Sequence, residues 1–277
     1  MFKLGIVSLA AIMAGALAVP AVAADYVEPP VVEAPAPVEQ VAYEDPAYSG
    51  WYIRGDVGYR WNKFRGADYI LYGAPGELGE FDSAKLKGSL ALGGGVGYQI
   101  NNYLRTDLTA DYIFKSNFDG STVGFCGTGL PCTSTDRSSY KALLLLANAY
   151  VDLGTYHGFT PYIGAGIGGA HVKWANLIND DDDGSFEHQG GKGWRFAYAA
   201  MAGASYCLTA NTKLDVGYRY SHIEGGRMFG YAANAGPGYD RGINSHEVRG
   251  GLRYQFGKSD CAPPEPIAYE PAPVYKQ

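Results

Sequence analysis

Apolar and polar positions alternate at period two in eight separate runs of this chain, the pattern of strands with two unlike faces. In the last run, 246–256, His246, Val248, Gly250, Leu252, Tyr254 and Phe256 share one face, and Glu247, Arg249, Gly251, Arg253 and Gln255 share the other. The first, 51–64, sets Trp51, Ile53, Val57, Tyr59 and Trp61 against Tyr52, Arg54, Asp56, Arg60 and Asn62. Runs 87–100, 103–115, 140–153, 194–208 and 213–223 repeat the scheme, while 160–174 is glycine-rich and its facing is ambiguous. In 103–115 the polar face reads Arg105, Asp107, Asp111 and Lys115.

Period two alone fits a soluble sheet, with its apolar face on a protein core, or a membrane barrel, with its apolar face on lipid. The connections favour the barrel. Those at 101–102, 154–159 and 209–212 are short, whereas 65–84, 116–137, 175–193 and 224–243 are long and rich in Gly, Asp and Ser. Strict alternation of long and short is the plan of an outer-membrane barrel, with short periplasmic turns and long external loops. The runs also suit strands that need about 9–11 residues to cross a bilayer at a tilt. The expectation is an all-β, eight-stranded antiparallel transmembrane barrel over 50–256, with four extracellular loops. A soluble sandwich or lipocalin-like barrel is the alternative.

The ends of the chain support export. Lys3, an apolar run over 5–19 and Ala21-Val22-Ala23 read as a signal peptide over 1–23, cut between Ala23 and Ala24. Segment 24–49, rich in Pro, Val and Glu, reads as a periplasmic linker, and 257–277 as a tail of the same character. The 23 tyrosines suit membrane interfaces, where an apolar ring meets a polar tip. A formal charge of −6 argues against nucleic acid, which calls for a basic face.

The export signal, the ADY start, the phrases TPYIGAGIGGA, KLDVGYRYSHI and HEVRGGLRYQF, and the loop alternation resemble the small outer-membrane barrel family of alphaproteobacteria, labelled porin-like or opacity-like surface antigens. The resemblance implies outer-membrane localisation in a Gram-negative bacterium, lipid and lipopolysaccharide as surroundings, and delivery by the barrel-assembly machinery. In the family the chain commonly ends on an aromatic. Here Phe256 matches it, but about twenty residues follow, so an internal signal would have to be tolerated. Relatives beginning Ala-Asp also imply a peptidoglycan link through the mature amine, here Ala24 followed by Asp25.

The candidate chemistry is charge, not catalysis. Arg54, Asp56, Arg60, Arg105, Asp107, Asp111, Lys115, Asp152, Asp215, Arg219, Glu247, Arg249 and Arg253 all fall on the inward face. An eight-stranded barrel is just wide enough for side chains to fill, so such charges must be paired. That predicts a salt-bridged plug; a proton or small-ion path is the rival. Cys126 and Cys132 enclose five residues and read as a loop disulfide rather than zinc ligands. Cys207 and Cys261 fall at one end of the barrel and can pair if their Cα atoms come within about 7 Å. Gly164, Gly166 and Gly169 match a nucleotide-loop spacing but sit inside a strand run. Segment 179–190 has Asp181, Asp183 and Gly184 in phase with a calcium loop but lacks its closing Glu. Ser221 and His222 alternate to opposite faces and cannot exchange a proton. The expected function is therefore a non-enzymatic, cofactor-free structural barrel supporting the envelope and presenting surface loops. A narrow pore and an adhesin or immune-evasion protein are the alternatives.

Overall fold

The computed structural model describes residues 48–72, 77–125, 130–232 and 234–261. The expected signal segment, Ala23, Ala24, Asp25 and Cys126 lie outside them. Among the described residues, seventeen strands follow one another. They are β1 (Gly50–Phe64), β2 (Ala67–Leu71), β3 (Leu78–Glu80), β4 (Ser83–Leu86), β5 (Ser89–Gln99), β6 (Leu104–Ser121), β7 (Val123–Phe125), β8 (Pro131–Thr133) and β9 (Thr135–Asp152). After them come β10 (Phe159–Trp174), β11 (Leu177–Asp181), β12 (Gly184–His188), β13 (Lys192–Cys207), β14 (Thr212–Ile223), β15 (Gly226–Phe229), β16 (Ala235–Asp240) and β17 (Ile243–Gln255).

Eight of these form the barrel, in the cyclic order β1-β5-β6-β9-β10-β13-β14-β17, every pair antiparallel. The β1–β17 ladder joins the first strand to the last, so no edge is left open and the spanning backbone pairs between neighbouring strands. The short turns are held by their own side chains. Asn101 Oδ1 accepts hydrogen bonds from the Tyr103 and Leu104 amides, and Thr209 Oγ1 accepts from the Asn211 and Thr212 amides.

The barrel is inside-polar and outside-apolar. Leu108, Ile163, Ile167, Val216 and Leu252 are exposed on its outer wall, while Arg60, Arg105, Arg219 and Arg253 are buried within. Aromatic residues border the apolar band. Trp51, Tyr98, Tyr206, Tyr254 and Phe256 lie toward the periplasmic end, and Trp61, Tyr112, Phe114, Trp194 and Tyr218 toward the other. The ambiguous fifth run resolves with Thr160, Tyr162, Ala170, Val172 and Trp174 inward.

Two expectations need correction. Lys115 is not in the lumen. The ladder between β6 and β9 shifts register between Ile113 and Ser116, so one extra residue enters β6, and Phe114 and Lys115 both face outward. A bulge re-aims every side chain beyond it, and strict alternation cannot anticipate one. The long connections also hold strands that the sequence did not mark. Strands β6 and β9 run on into the expected loop 116–137, and β11 and β12 form a hairpin that pairs with β9. The first and last loops share one four-stranded sheet, β15-β16-β2-β3.

Single cysteines test this orientation. Val216→Cys and Leu252→Cys should react with a membrane-soluble label, and Lys115→Cys with a water-soluble label on intact cells. Ser221→Cys, pointing into the lumen, should resist both in the folded protein. Mass spectrometry of the labelled protein gives the readout, and a reactive Ser221→Cys would mean the wall is inverted.

Candidate functional site

The lumen carries an unbroken chain of alternating charge. Arg60 Nη1 lies 3.3 Å from Glu247 Oε2, whose other cation is Arg219 Nη2 at 2.8 Å. Arg219 Nη1 reaches Asp111 Oδ2 at 2.6 Å, and Asp111 Oδ1 lies 3.3 Å from Arg249 Nη2. Arg249 then meets Asp56 at 3.0 Å, Asp56 meets Arg54 at 2.7 Å, and Arg54 meets Asp107 at 3.1 Å. Four guanidiniums and four carboxylates alternate, contributed by β1, β6, β14 and β17. Asp107 closes the chain by accepting hydrogen bonds from Tyr52 and Asn148. Buried ions cost several kcal/mol each unless paired, and here each has at least one partner of opposite sign.

Glycine makes room for this packing. Gly93 faces Asp111 across the β5–β6 ladder and Asp56 across the β1–β5 ladder. A Cβ at Gly93 would overlap the Asp111 carboxylate, and one at Gly251 would overlap that of Asp56. Gly164 and Gly166, read in the sequence as a nucleotide-loop match, lie within β10 against Tyr150 and Asn148. They serve close packing in the wall.

Toward the periplasm the lumen holds a second group. Arg105 bonds Asp152 at 3.0 Å and lies between the rings of Tyr150 and Tyr162, 4.0 and 4.7 Å from their centres. Arg253 pairs with Asp215 at 3.2 Å, and Lys213 with Asp260 at 2.6 Å. Asp260 follows the last strand and also accepts a hydrogen bond from Thr155. The neighbouring Cys261 is disulfide-bonded to Cys207 with Cα atoms 5.6 Å apart, so the chain after β17 is fastened across the periplasmic end. Lys213 and Asp260 were not among the expected charges. Lys213 has the inward parity in its strand, but nothing local marks Asp260 as its partner.

Toward the surface the charges give way to an aromatic layer. Phe64, Phe118, Trp174 and Tyr140 pack edge-on or tilted, and Phe81, Phe229 and Tyr69 from the loops continue the stack. The loops are bolted to the barrel at Asp240 of β16, which accepts from Arg195 of β13 at 2.7 Å and from Trp174 Nε1 of β10 at 3.2 Å. Against this aromatic layer the loops line an open cavity of about 410 Å³, bordered in part by Tyr69, Phe81, Phe229, His188 and Asp136. Asp136 is buried, and it accepts hydrogen bonds from the neutral side chains of Asn179 and Ser134. Burial pushes its carboxyl above the ordinary aspartate range, and the two hydrogen bonds offset only part of this.

The remaining expected sites are separated by the fold. Asp181 is a turn residue in the β11–β12 hairpin, its Oδ1 accepting from the Asp183 and Gly184 amides. Among the described residues, no three His, Cys, Asp or Glu side chains converge as metal ligands. Ser221 Oγ accepts from Arg60 inside the barrel. His222 belongs to the outer face and is covered there, with its Nδ1 2.5 Å from Asn244 Oδ1 and its ring tilted onto Tyr198.

A closed eight-stranded barrel with an apolar outer wall and a salt-bridged interior defines an outer-membrane protein. The sequence profile of the outer membrane protein beta-barrel domain family matches residues 9–256, and the chain belongs to that family. It is a protein of the Gram-negative outer membrane. It is similar to an uncharacterized protein of Brucella abortus, 38% identical over 260 residues, which cover 76% of this chain and 86% of the relative. It is also similar to outer membrane protein PagN of Salmonella typhimurium, 29% identical, with 59% of this chain and 72% of that protein covered. A Rickettsia bellii protein whose name proposes an adhesin is 26% identical over 78% of this chain and 92% of its own length.

Two substitutions test the lumen and one the cap. Arg219→Ala leaves Asp111 and Glu247 short of a cation and should cost on the order of 3–5 kcal/mol in denaturant unfolding from lipid vesicles. Gly93→Ala should destabilise in the same assay by displacing Asp111, although it removes no contact. In the cap, the raised pKa of Asp136 means the folded form holds a proton that the unfolded chain releases. Cap stability is then greatest below the ordinary aspartate range and falls as pH rises through the folded value. Asp136→Asn should abolish that fall and raise thermal stability at neutral pH, as read by protease resistance of the loops.

Proposed function

We propose that this protein is a structural, non-conducting barrel that reinforces the outer membrane and holds a preorganised platform of loops at the cell surface. The observation that carries this reading is the filled lumen: eight alternating buried charges, closed by aromatic side chains on one side and a disulfide-pinned segment on the other. An ion moving through would have to break pairs in a low-dielectric interior, where each broken pair leaves an uncompensated charge. The platform is built to keep its shape, because two loops share a sheet and Asp240 ties that sheet to two barrel strands.

Display for recognition is the second reading. It is supported by the loop cavity and by the Rickettsia bellii relative whose name proposes an adhesin. We further propose that the mature amine of Ala24, followed by Asp25, is joined to peptidoglycan, and that the segment up to Ser49 supplies the reach. At roughly 3.1 Å per residue an extended linker of that length crosses tens of ångströms.

Purified protein in planar bilayers should give no reproducible unitary current. Steps that change when Arg219 and Asp107 are substituted would replace the structural reading with a pore. Sacculi boiled in detergent and digested should release peptides carrying Ala24 bonded to a wall fragment. A free Ala24 amine in all of the protein would end the tether proposal while leaving the barrel reading intact.

A further inference from the structure

The displaced Lys115 belongs to a feature that alternation along single strands does not reveal. Lys173 of β10 is directly opposite Lys141 of β9 on one side and Lys192 of β13 on the other. All three are exposed on the outer wall. The bulge in β6 falls opposite Lys141, between the pairs Ile113–Ala142 and Ser116–Tyr140, and brings Lys115 to the outer surface beside it. Four strands thus present four ammonium groups in one cross-strand row. With strands about 4.8 Å apart, the three paired lysines span roughly 10 Å. Like charges directly opposite one another destabilise a sheet. None of the four makes an ion pair with a carboxylate among the described residues, although nearby Lys87 and Arg137 do, with Asp119 and Asp180.

The row has a fixed place relative to lipid. One step toward the membrane, the same strands carry the register-matched row Tyr112, Leu143, His171 and Trp194, with the last two rings 5.3 Å apart. These side chains mark the outer edge of the apolar band, so the ammonium groups stand at the height of outer-leaflet headgroups. A cavity of about 440 Å³ opens there, lined by Lys115, Lys141 and Lys173 together with Tyr112 and Phe114. The far side of the barrel lacks the feature: β14, β17 and β1 carry Tyr220, His246 and Trp61 in one outward row, and His222, Asn244 and Lys63 in the next.

We infer that this row is a binding site for the phosphate groups of an outer-leaflet glycolipid, the lipid A part of lipopolysaccharide. The acyl chains lie along the aromatic and aliphatic wall below, and the phosphates bridge the lysines. A multivalent anion converts the mutual repulsion of the ammonium groups into binding. The apolar row beneath selects an anion that carries chains over a free one. The inference rests on the outer-membrane placement and is independent of the platform and tether proposals.

Native mass spectrometry of the folded protein in a non-ionic detergent, titrated with bisphosphorylated lipid A, tests it. Wild type should retain lipid A at least about tenfold better than the dephosphorylated form, and added salt should weaken the binding. The triple variant Lys141→Gln/Lys173→Gln/Lys192→Gln should lose that preference, the triple arginine variant should keep it, and Lys63→Gln on the far side should leave it unchanged. Inorganic phosphate at the same phosphate concentration should neither bind nor compete. A thermal scan guards against misfolding: without lipid the triple glutamine variant should melt at or above wild type, and with lipid A only wild type should gain stability. Equal retention of both lipid forms, an unaffected triple glutamine variant, or equal binding of inorganic phosphate would overturn the inference.

Discussion

An ionised group inside an eight-stranded barrel has too little room for bulk water and must find its counter-charge in the wall opposite. That requirement organises the whole molecule. Arg219 from β14 can be buried because Asp111 reaches it from β6 and Glu247 from β17. Those three strands must therefore close around a common axis in one register. Glycines at 93 and 251 let the carboxylates lie flat against the wall. The polar interior is the barrel's equivalent of a hydrophobic core, and it specifies register as a core does, by allowing one arrangement in which every charge is answered.

The outer wall follows the opposite logic, since hydrocarbon accepts apolar side chains without discrimination. Val57, Leu108, Ile167 and Val216 need only be apolar. Specific contacts reappear where the lipid ends. Toward the surface the lumen turns from ion pairs to the Phe64, Phe118 and Trp174 stack, and the same level marks the start of the loop sheet and the Asp240 bolt. A rigid spanning cylinder with an ordered outer end is the physical content of the structural reading, and the lysine row at the headgroup level gives that cylinder a preferred lipid-facing side.

Much of this was legible in the chain. The faces of the first and last strands were readable residue by residue, because side-chain parity is a local property of extended backbone. So were the inward positions of Arg54, Asp107, Asp215 and Arg253, and the alternation of short and long connections. Lys115 failed for a reason that lies outside its own strand: the extra residue in β6 is defined only by its partner β9, and no residue type announces it. The loop strands failed because their pairing is between loops far apart in sequence. Ala235 of β16 meets Leu71 of β2, and neither segment shows alternation long enough to notice.

The sequence by itself determined which face of most barrel strands meets lipid and which meets charge, since a period of two needs no knowledge of neighbours; the glycine-rich run 160–174 and the bulged end of β6 are the exceptions. Only the tertiary structure decided who answers whom. The charge chain from Arg60 to Asp107, the Lys213–Asp260 pair, the Cys207–Cys261 bond and the lysine row all depend on the register between strands. Register is a long-range quantity, fixed when the barrel closes, and a slip of one residue would send every one of these side chains to the wrong side of the wall.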